Sequence, residues 1–413
     1  MWGLIRSPAH EPRLCCFREK PRLKALLDHF STIEDPREAW RVAHPLREVL
    51  LLVVCGSMAD CDHYESIAAW GEENLPVLRR YLPYAHGVPT GRWLTLLMNR
   101  VNPALFSAVF TAWVREAWPE RPDLIAIDGK TSRRSHDRGE DRAPLHLVSA
   151  FATTSRLVLG QEAVPDKRSE LSAIPVLLER LGEGGGLEGA LVSIDAIATN
   201  ATIAQAIREK GADYLLAVKA NQPTLRQEIE GAFAAAPAID TSHDNDKGHG
   251  RIERRVVGVI HEVDWLNGAR RFPGETRLPH AATLIRVTSR AELSDRSRFE
   301  TRYFVSSARL EAARAAEAVR SHWRIENALH WTLDVVFAED QSRLRKGHGA
   351  RNMAVVRHFA INLIRHAPEP ERPAPMKPQR KAAKPRKTSL KLRRKIASWR
   401  SSYLETALAE PQN

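Results

Sequence analysis

Cysteine is scarce in this chain, with only Cys15, Cys16, Cys55 and Cys61 among 413 residues. These four supply neither a disulfide framework nor a C-x-x-C pair. The adjacent Cys15 and Cys16 have no nearby residues to complete a zinc site, so reduced thiols are expected. Long apolar runs are also missing. A membrane span needs roughly 18–20 uncharged apolar residues, and the longest candidate, Val49 to Met58, is too short. Arg6, His10, Glu11 and Arg13 interrupt any apolar leader, so a cytoplasmic protein with no membrane partner is expected. The H-E-x-x-H pattern of helix-borne zinc hydrolases is absent, which sets aside a zinc reading of His322, Glu326 and His330.

Acid is missing from one region in particular. Residues 372–404 hold twelve Lys and Arg and no Asp or Glu, which accounts for the whole net charge of +12 and leaves the remainder neutral. Such a segment suits a polyanion, since each neutralised phosphate releases counterions; the alternative is a solvated tail with no specific partner. Pro368, Pro370, Pro373, Pro375, Pro378 and Pro385 keep its first part from forming a helix. Beyond Thr388, Leu390, Ile396, Trp399, Tyr403 and Leu404 regain helical spacing. Residues 367–413 thus read as a basic tail with a short C-terminal helix.

What remains is ordinary in composition, 43% apolar and 27% charged, and long enough for two or three structural units. Residues 22–120 read as a helical domain, with apolar residues at three and four spacing and prolines as punctuation. After Pro122 the texture changes to short β runs: 124–128, 145–152 and 156–164. A helix from Glu170 to Leu181, a strand at 190–196, a helix ending at Gly211 and a strand at 213–219 follow. That order predicts an α/β fold with a mixed sheet over 121–366, interrupted by a β-rich insertion at about 220–307. A helix resumes near Glu311 and carries Glu326, with His322 and His330 four residues to either side on one face.

Two of these strands end on a charge. Asp128 follows Leu124 to Ile127, and Asp195 follows Leu191 to Ile194. A carboxylate removed from water costs several kcal/mol unless a cation compensates it. If the strands are neighbours, both aspartates lie at one end of the sheet, where sites in such folds gather. With Glu326 they make a carboxylate triad suited to hard cations such as magnesium, and two ions could activate a nucleophile and hold a leaving oxygen at phosphorus. Lys130 shares the face of Asp128 and is a candidate for the scissile phosphate or for a structural ion pair. Lys219 and Asn221 follow the fifth strand and could face DNA. His249 and Arg251 would line one face of a strand, toward DNA or as a solvated charged edge; His322 is a candidate for phosphate contact, for support of Glu326 or for core packing, and Arg343 for phosphate or for an ion-paired brace with Asp340.

"IAIDGKT", "LVSIDAIATN", "LLAVKANQPTL", "GHGRIERR" and "HWRIENALHWTLDVVFAEDQSRLR" together resemble the DDE transposases of insertion sequences, specifically the ISAs family of H-repeat-associated proteins. The resemblance runs in order from about residue 24 to 404, leaving residues 1–21 as an unassigned extension. It implies a ribonuclease-H-like core with a β-rich insertion before the glutamate helix, preceded by a helical domain that binds DNA. It also implies metal-dependent cleavage at element ends and strand transfer into target DNA. The catalytic and metal-binding residues it implies are Asp128, Asp195 and Glu326, holding two magnesium ions for which manganese can substitute. Partners would be double-stranded terminal repeats and target DNA, with a dimer assembled on them. Two departures stand out: "GVPTGRWLTLLMNRVNP" lacks the family's usual turn after the proline, and Val319, His322 and Leu333 replace the tyrosine, arginine and lysine of the wider superfamily. A catalytically silent, transposase-derived DNA-binding protein is the rival reading.

Overall fold

The computed structural model describes residues 21–137, 139, 143–166, 169–248, 251–268, 270, 272, 275, 277–292, 296–371 and 387–409. The described residues form two compact units, one from those up to residue 97 and from residue 359 onward, the other from those between 98 and 358.

The first unit is helical. It includes α1 (Pro21–Phe30), α2 (Leu46–Met58), α3 (Tyr64–Glu73) and α4 (Leu75–Leu78), and α5 (Gly91–Met98) begins in it. α2 is apolar around its whole circumference and is buried accordingly, the pattern of a central helix. Its one buried acid, Glu48, accepts the Tyr84 amide at 2.9 Å, and the Tyr84 hydroxyl donates to the Glu48 carbonyl at 2.8 Å. Late in the chain, the helical spacing after Thr388 resolves into two helices, α13 (Leu390–Trp399) and α14 (Ser401–Leu408).

These helices correct the picture of a free basic tail. Arg394 is fully buried, with Nε and Nη2 donating to the Ser57 carbonyl at 3.0 and 2.9 Å, Nη2 to Asp62 at 2.8 Å, and Nη1 3.2 Å from Asp60. Arg393 is also buried; it pairs with Glu369 and donates to the Ala367 carbonyl at 2.6 Å. A buried guanidinium needs partners for its donors, and these two have them in protein. Their charge therefore belongs to the fold and not to a polyanion. Residues 372–386, with the other half of the basic run, lie outside the described residues.

The second unit starts earlier than the sequence pattern places it. Helix α6 (Pro103–Ala117), capped by Asn102, reads with the helical domain in sequence yet packs on a strand of the sheet. Its Ser107 hydroxyl donates to the Gln161 carbonyl at 2.8 Å. The strands are β1 (Leu124–Thr131), β2 (His146–Ala152), β3 (Leu157–Val164), β4 (Leu191–Ile194), β5 (Asp213–Val218), β6 (Asp240–Gly248), β7 (Arg251–Ile260), β8 (Thr283–Glu292) and β9 (Ser297–Ser306). They form one nine-stranded sheet in the order β3-β2-β1-β4-β5-β9-β8-β7-β6. β1, β4 and β5 are mutually parallel, and β2 and β3 are antiparallel additions. This is the ribonuclease-H-like arrangement. The insertion extends it, because β9 pairs antiparallel with β5 and the β8, β7 and β6 strands follow in turn.

Both faces of the central strands are covered, which explains their unbroken apolar runs. On one face Ile125, Ile127, Val192 and Ile194 pack with residues of α7 (Glu170–Gly182), α8 (Ala201–Glu209) and α9 (Pro223–Ala235). On the other, Leu124, Leu191 and Leu215 pack with Ala315, Ala318 and Val319 of α10 (Ala312–His322). Two insertion elements escaped the sequence pattern. α9 is an amphipathic helix after Pro223, and β6 is an edge strand whose polar composition, "DTSHDNDKG", hides its pairing with β7.

Candidate active site

Parallel pairing of β1 with β4 sets Ile127 opposite Ile194. Asp128 and Asp195 each follow that last matched pair, so the two carboxylates emerge from adjacent strands at the carboxyl end of the sheet. Asp128 pairs with Ser149 across β2 and is mostly buried, with a side chain 20% exposed. Asp195 leaves its strand and caps the short turn that follows, its Oδ1 accepting the Ala196 amide at 2.7 Å.

The helix that begins as α10 continues through a π-helical turn, Glu326–His330, into α11 (Trp331–Val335). One wide turn of this kind inside a helix is uncommon and often marks a functional position. Here it brings Glu326 and His330 to Asp128. His330 Nδ1 lies 3.7 Å from Asp128 Oδ2 and 3.8 Å from Glu326 Oε2. Ligand atoms of Asp128, Glu326 and His330 all fall within 4.8 Å of one another, a spacing a single cation can bridge. A cavity of about 170 Å³ is lined by Asp128, Asp195, Glu326 and Glu170.

Electrostatics agree with that use. Burial pushes the Asp128 carboxyl up to about 6, with the neighbouring Glu326 charge adding to the rise and His330 opposing it. Glu326 is lowered, chiefly by its contact with His330. Burial would raise Asp195, but the Lys219 ammonium and the Ala196 amide hold it below the usual range. Lys219 Nζ stands 2.6 Å from Asp195 Oδ1 and 2.9 Å from Oδ2. A desolvated carboxyl facing a second carboxyl is short of positive charge, and oxygen donors with one imidazole fit a divalent cation.

Two participants were not visible in the sequence. Thr131 Oγ1 and His146 Nδ1 are 2.7 Å apart, and His146 Nε2 lies 2.6 Å from Glu170 Oε1, a buried chain bordering the site. Gly129 makes room for it, since a Cβ there would run into Glu170 Oε1 and stand 2.7 Å from His146 Nε2. No local spacing signals the pair, because His146 and Glu170 start different elements.

Several expected DNA contacts are otherwise employed. Lys130 does share the Asp128 face, but it is 8% exposed, with Nζ 2.7 Å from Asp334, 2.9 Å from Glu339 and 3.7 Å from Asp340. Glu339 is itself buried and also meets Arg357 at 3.2 Å. Of the two readings of Lys130, the structural ion pair is correct, and its ammonium is not open to phosphate. Asn221 Nδ2 donates to the Ala196 carbonyl at 3.1 Å, tying its loop to the turn after Asp195. His322 Nδ1 lies 3.0 Å from the Ser193 hydroxyl, and burial lowers its pKa, against the pull of the Asp195 and Glu326 charges. Arg343 and Lys219 are exposed. Arg251 lies on β7, but its side chain, like all of His249, falls outside the described residues.

Beside the glutamate helix a larger groove of about 890 Å³ runs between the insertion strands and α10. Arg255, Arg298, Arg302, Arg320, Arg324 and Trp323 line it together with Asp244, Glu253, Glu300 and Glu317, and Arg255 pairs with Glu253 at 2.7 Å. No helix among the described residues is long and apolar enough to cross a membrane.

The family model described as "Transposase DDE domain" matches residues 119–363, and one described as "DDE_Tnp_1-associated" matches residues 27–114. The "H repeat-associated putative transposase YhhI" of Escherichia coli (strain K12) is 36% identical over 348 residues, which cover 83% of this chain and 90% of that one. The "Putative transposase YncI" of Escherichia coli O157:H7 is 32% identical over 395 residues, 94% of this chain and 95% of its own. With over half its length matched by the domain model and relatives this similar along nearly their whole sequence, the chain belongs to the DDE transposases, DNA-cleaving and strand-transferring enzymes that use a divalent metal.

Proposed function

We propose that Asp128, Asp195 and Glu326 are the catalytic carboxylates, that they hold two magnesium ions, with manganese able to substitute, and that His330 assists as a nitrogen ligand or orienting group. The observation that carries this reading is the in-register emergence of Asp128 and Asp195 from neighbouring parallel strands into a cavity that Glu326 also lines. When bound, the divalent ions supply Lewis acidity to the phosphodiester and to the attacking and leaving oxygens. The chain's own part is to hold three carboxylates on rigid elements and to exclude bulk water from Asp128. Its cations then position the phosphate backbone. Lys219 and Arg343 are the exposed candidates near the sheet end and beyond the helix.

Water attacks the phosphodiester at the element end, and the freed 3′-hydroxyl then attacks target DNA without a covalent protein intermediate. Since two ends are joined to one target, we propose a dimer assembled on DNA. Terminal-repeat duplex labelled at its end, incubated with magnesium or with EDTA, tests the reading. Magnesium-dependent nicking at the repeat boundary by wild type and none by Asp195→Ala is expected. Binding without nicking in either protein would sink the catalytic assignment.

A further inference from the structure

Of the four groups proposed to act at the metal site, three converge and the fourth does not. Asp128, Glu326 and His330 present ligand atoms within 4.8 Å of one another, while Asp195, on the neighbouring strand end, stands outside that set. What engages Asp195 is Lys219, whose ammonium closes on both carboxylate oxygens, at 2.6 and 2.9 Å. We propose that Lys219 is a built-in placeholder cation that competes with the divalent metal for Asp195, and that a DNA phosphate, by drawing the ammonium away, opens Asp195 to the metal. The idea rests on the reading of Asp195 as a metal ligand.

Two features make the contact suited to exchange. The pair is exposed, with side chains 57% and 43% accessible, and water-screened pairs of this kind are worth only about 0–1 kcal/mol, so they yield to a better partner. Its base, by contrast, is fixed. Asn221 Nδ2 and Gln222 Nε2 donate to the Ala196 carbonyl at 3.1 and 2.7 Å, and Gln222 Nε2 also reaches the Thr199 carbonyl at 3.3 Å. These bonds lock the loop after β5 to the turn after β4, leaving the Lys219 side chain as the moving part. A dication at Asp195 would repel the ammonium, and a phosphate would accept it. By linkage, metal then strengthens DNA binding and DNA strengthens metal binding by the same factor.

The test is calorimetric titration of the full chain with manganese chloride in the absence of DNA, comparing wild type, Lys219→Gln, Lys219→Arg and Asp195→Asn. Removing the competitor is expected to tighten manganese binding about three- to tenfold in Lys219→Gln, in line with the worth of an exposed pair plus the loss of a like charge. Lys219→Arg, which keeps the cation, stays within about twofold of wild type. Asp195→Asn binds more weakly than wild type. Unchanged or weaker binding in Lys219→Gln, with Asp195→Asn still impaired, would overturn the placeholder while leaving the metal site standing. Wild-type affinity in Asp195→Asn would instead overturn the assignment of Asp195 itself and the placeholder with it.

Discussion

Replacing Asp128 with asparagine should make the protein more stable while destroying its cleavage activity. The magnitude follows from the buried carboxyl. Its pKa stands near 6 against an ordinary 3.8, so each of about two pH units carries roughly 1.4 kcal/mol, an upper limit of about 3 kcal/mol. Contact with His330 and residual water reduce this, and about half is a reasonable expectation. The sign is set by linkage: a carboxyl whose folded pKa lies above its unfolded value contributes fully below pH 4, and that contribution is lost as pH rises through 6. Urea melts of wild type and Asp128→Asn in EDTA, from pH 4 to 8, measure it. At pH 7.5 the variant should exceed wild type by about 1.5 kcal/mol, or about 3–6 °C in thermal midpoint for a unit of this size, and the two should converge near pH 4. Added magnesium should recover stability in wild type more than in the variant, since ligand binding to the native state alone stabilises it. A variant less stable than wild type throughout this range would refute the reasoning, because Asp128 would then be a satisfied structural carboxylate.

Lys130→Met removes the cation shared by Asp334 and Glu339, leaving buried Glu339 with Arg357 as its remaining cation; a loss of about 3 kcal/mol is expected in urea melts, and Lys130→Arg should recover only part of it. Gly129→Ala drives a methyl group into Glu170 and His146, so nicking by this variant should fall at least tenfold while circular dichroism stays near wild type; full activity would show that the Thr131, His146 and Glu170 chain does not support the site.

Apolar runs followed by aspartate made β1 and β4 legible, but only β4 stops there: β1 runs on through Thr131, paired with β2 beyond the last residue it matches on β4, so Asp128 lies within the strand and not at its end. The glutamate helix was legible through its spacing. Its π turn was not, since nothing in "ENALH" distinguishes it from an α-helical turn. The fate of Lys130 was open because its decisive partner, Glu339, is 209 residues away. Arg393 and Arg394 read as part of a basic run suited to a polyanion because the acids they meet, Glu369, Asp60 and Asp62, lie outside it. α6 was assigned to the wrong neighbour for a similar reason: helical periodicity shows that a face is buried, not what covers it.

The sheet order also governs when the enzyme comes into being on the ribosome. β5 acquires its outer neighbour only when β9 has been made, and Glu326 arrives later still. A nascent or prematurely terminated chain can carry both aspartates and still lack the glutamate, the helix that covers the sheet and the strand that seals β5. On the proposed reading of the three carboxylates, a chain that stops before Glu326 is expected to leave terminal-repeat duplex uncut.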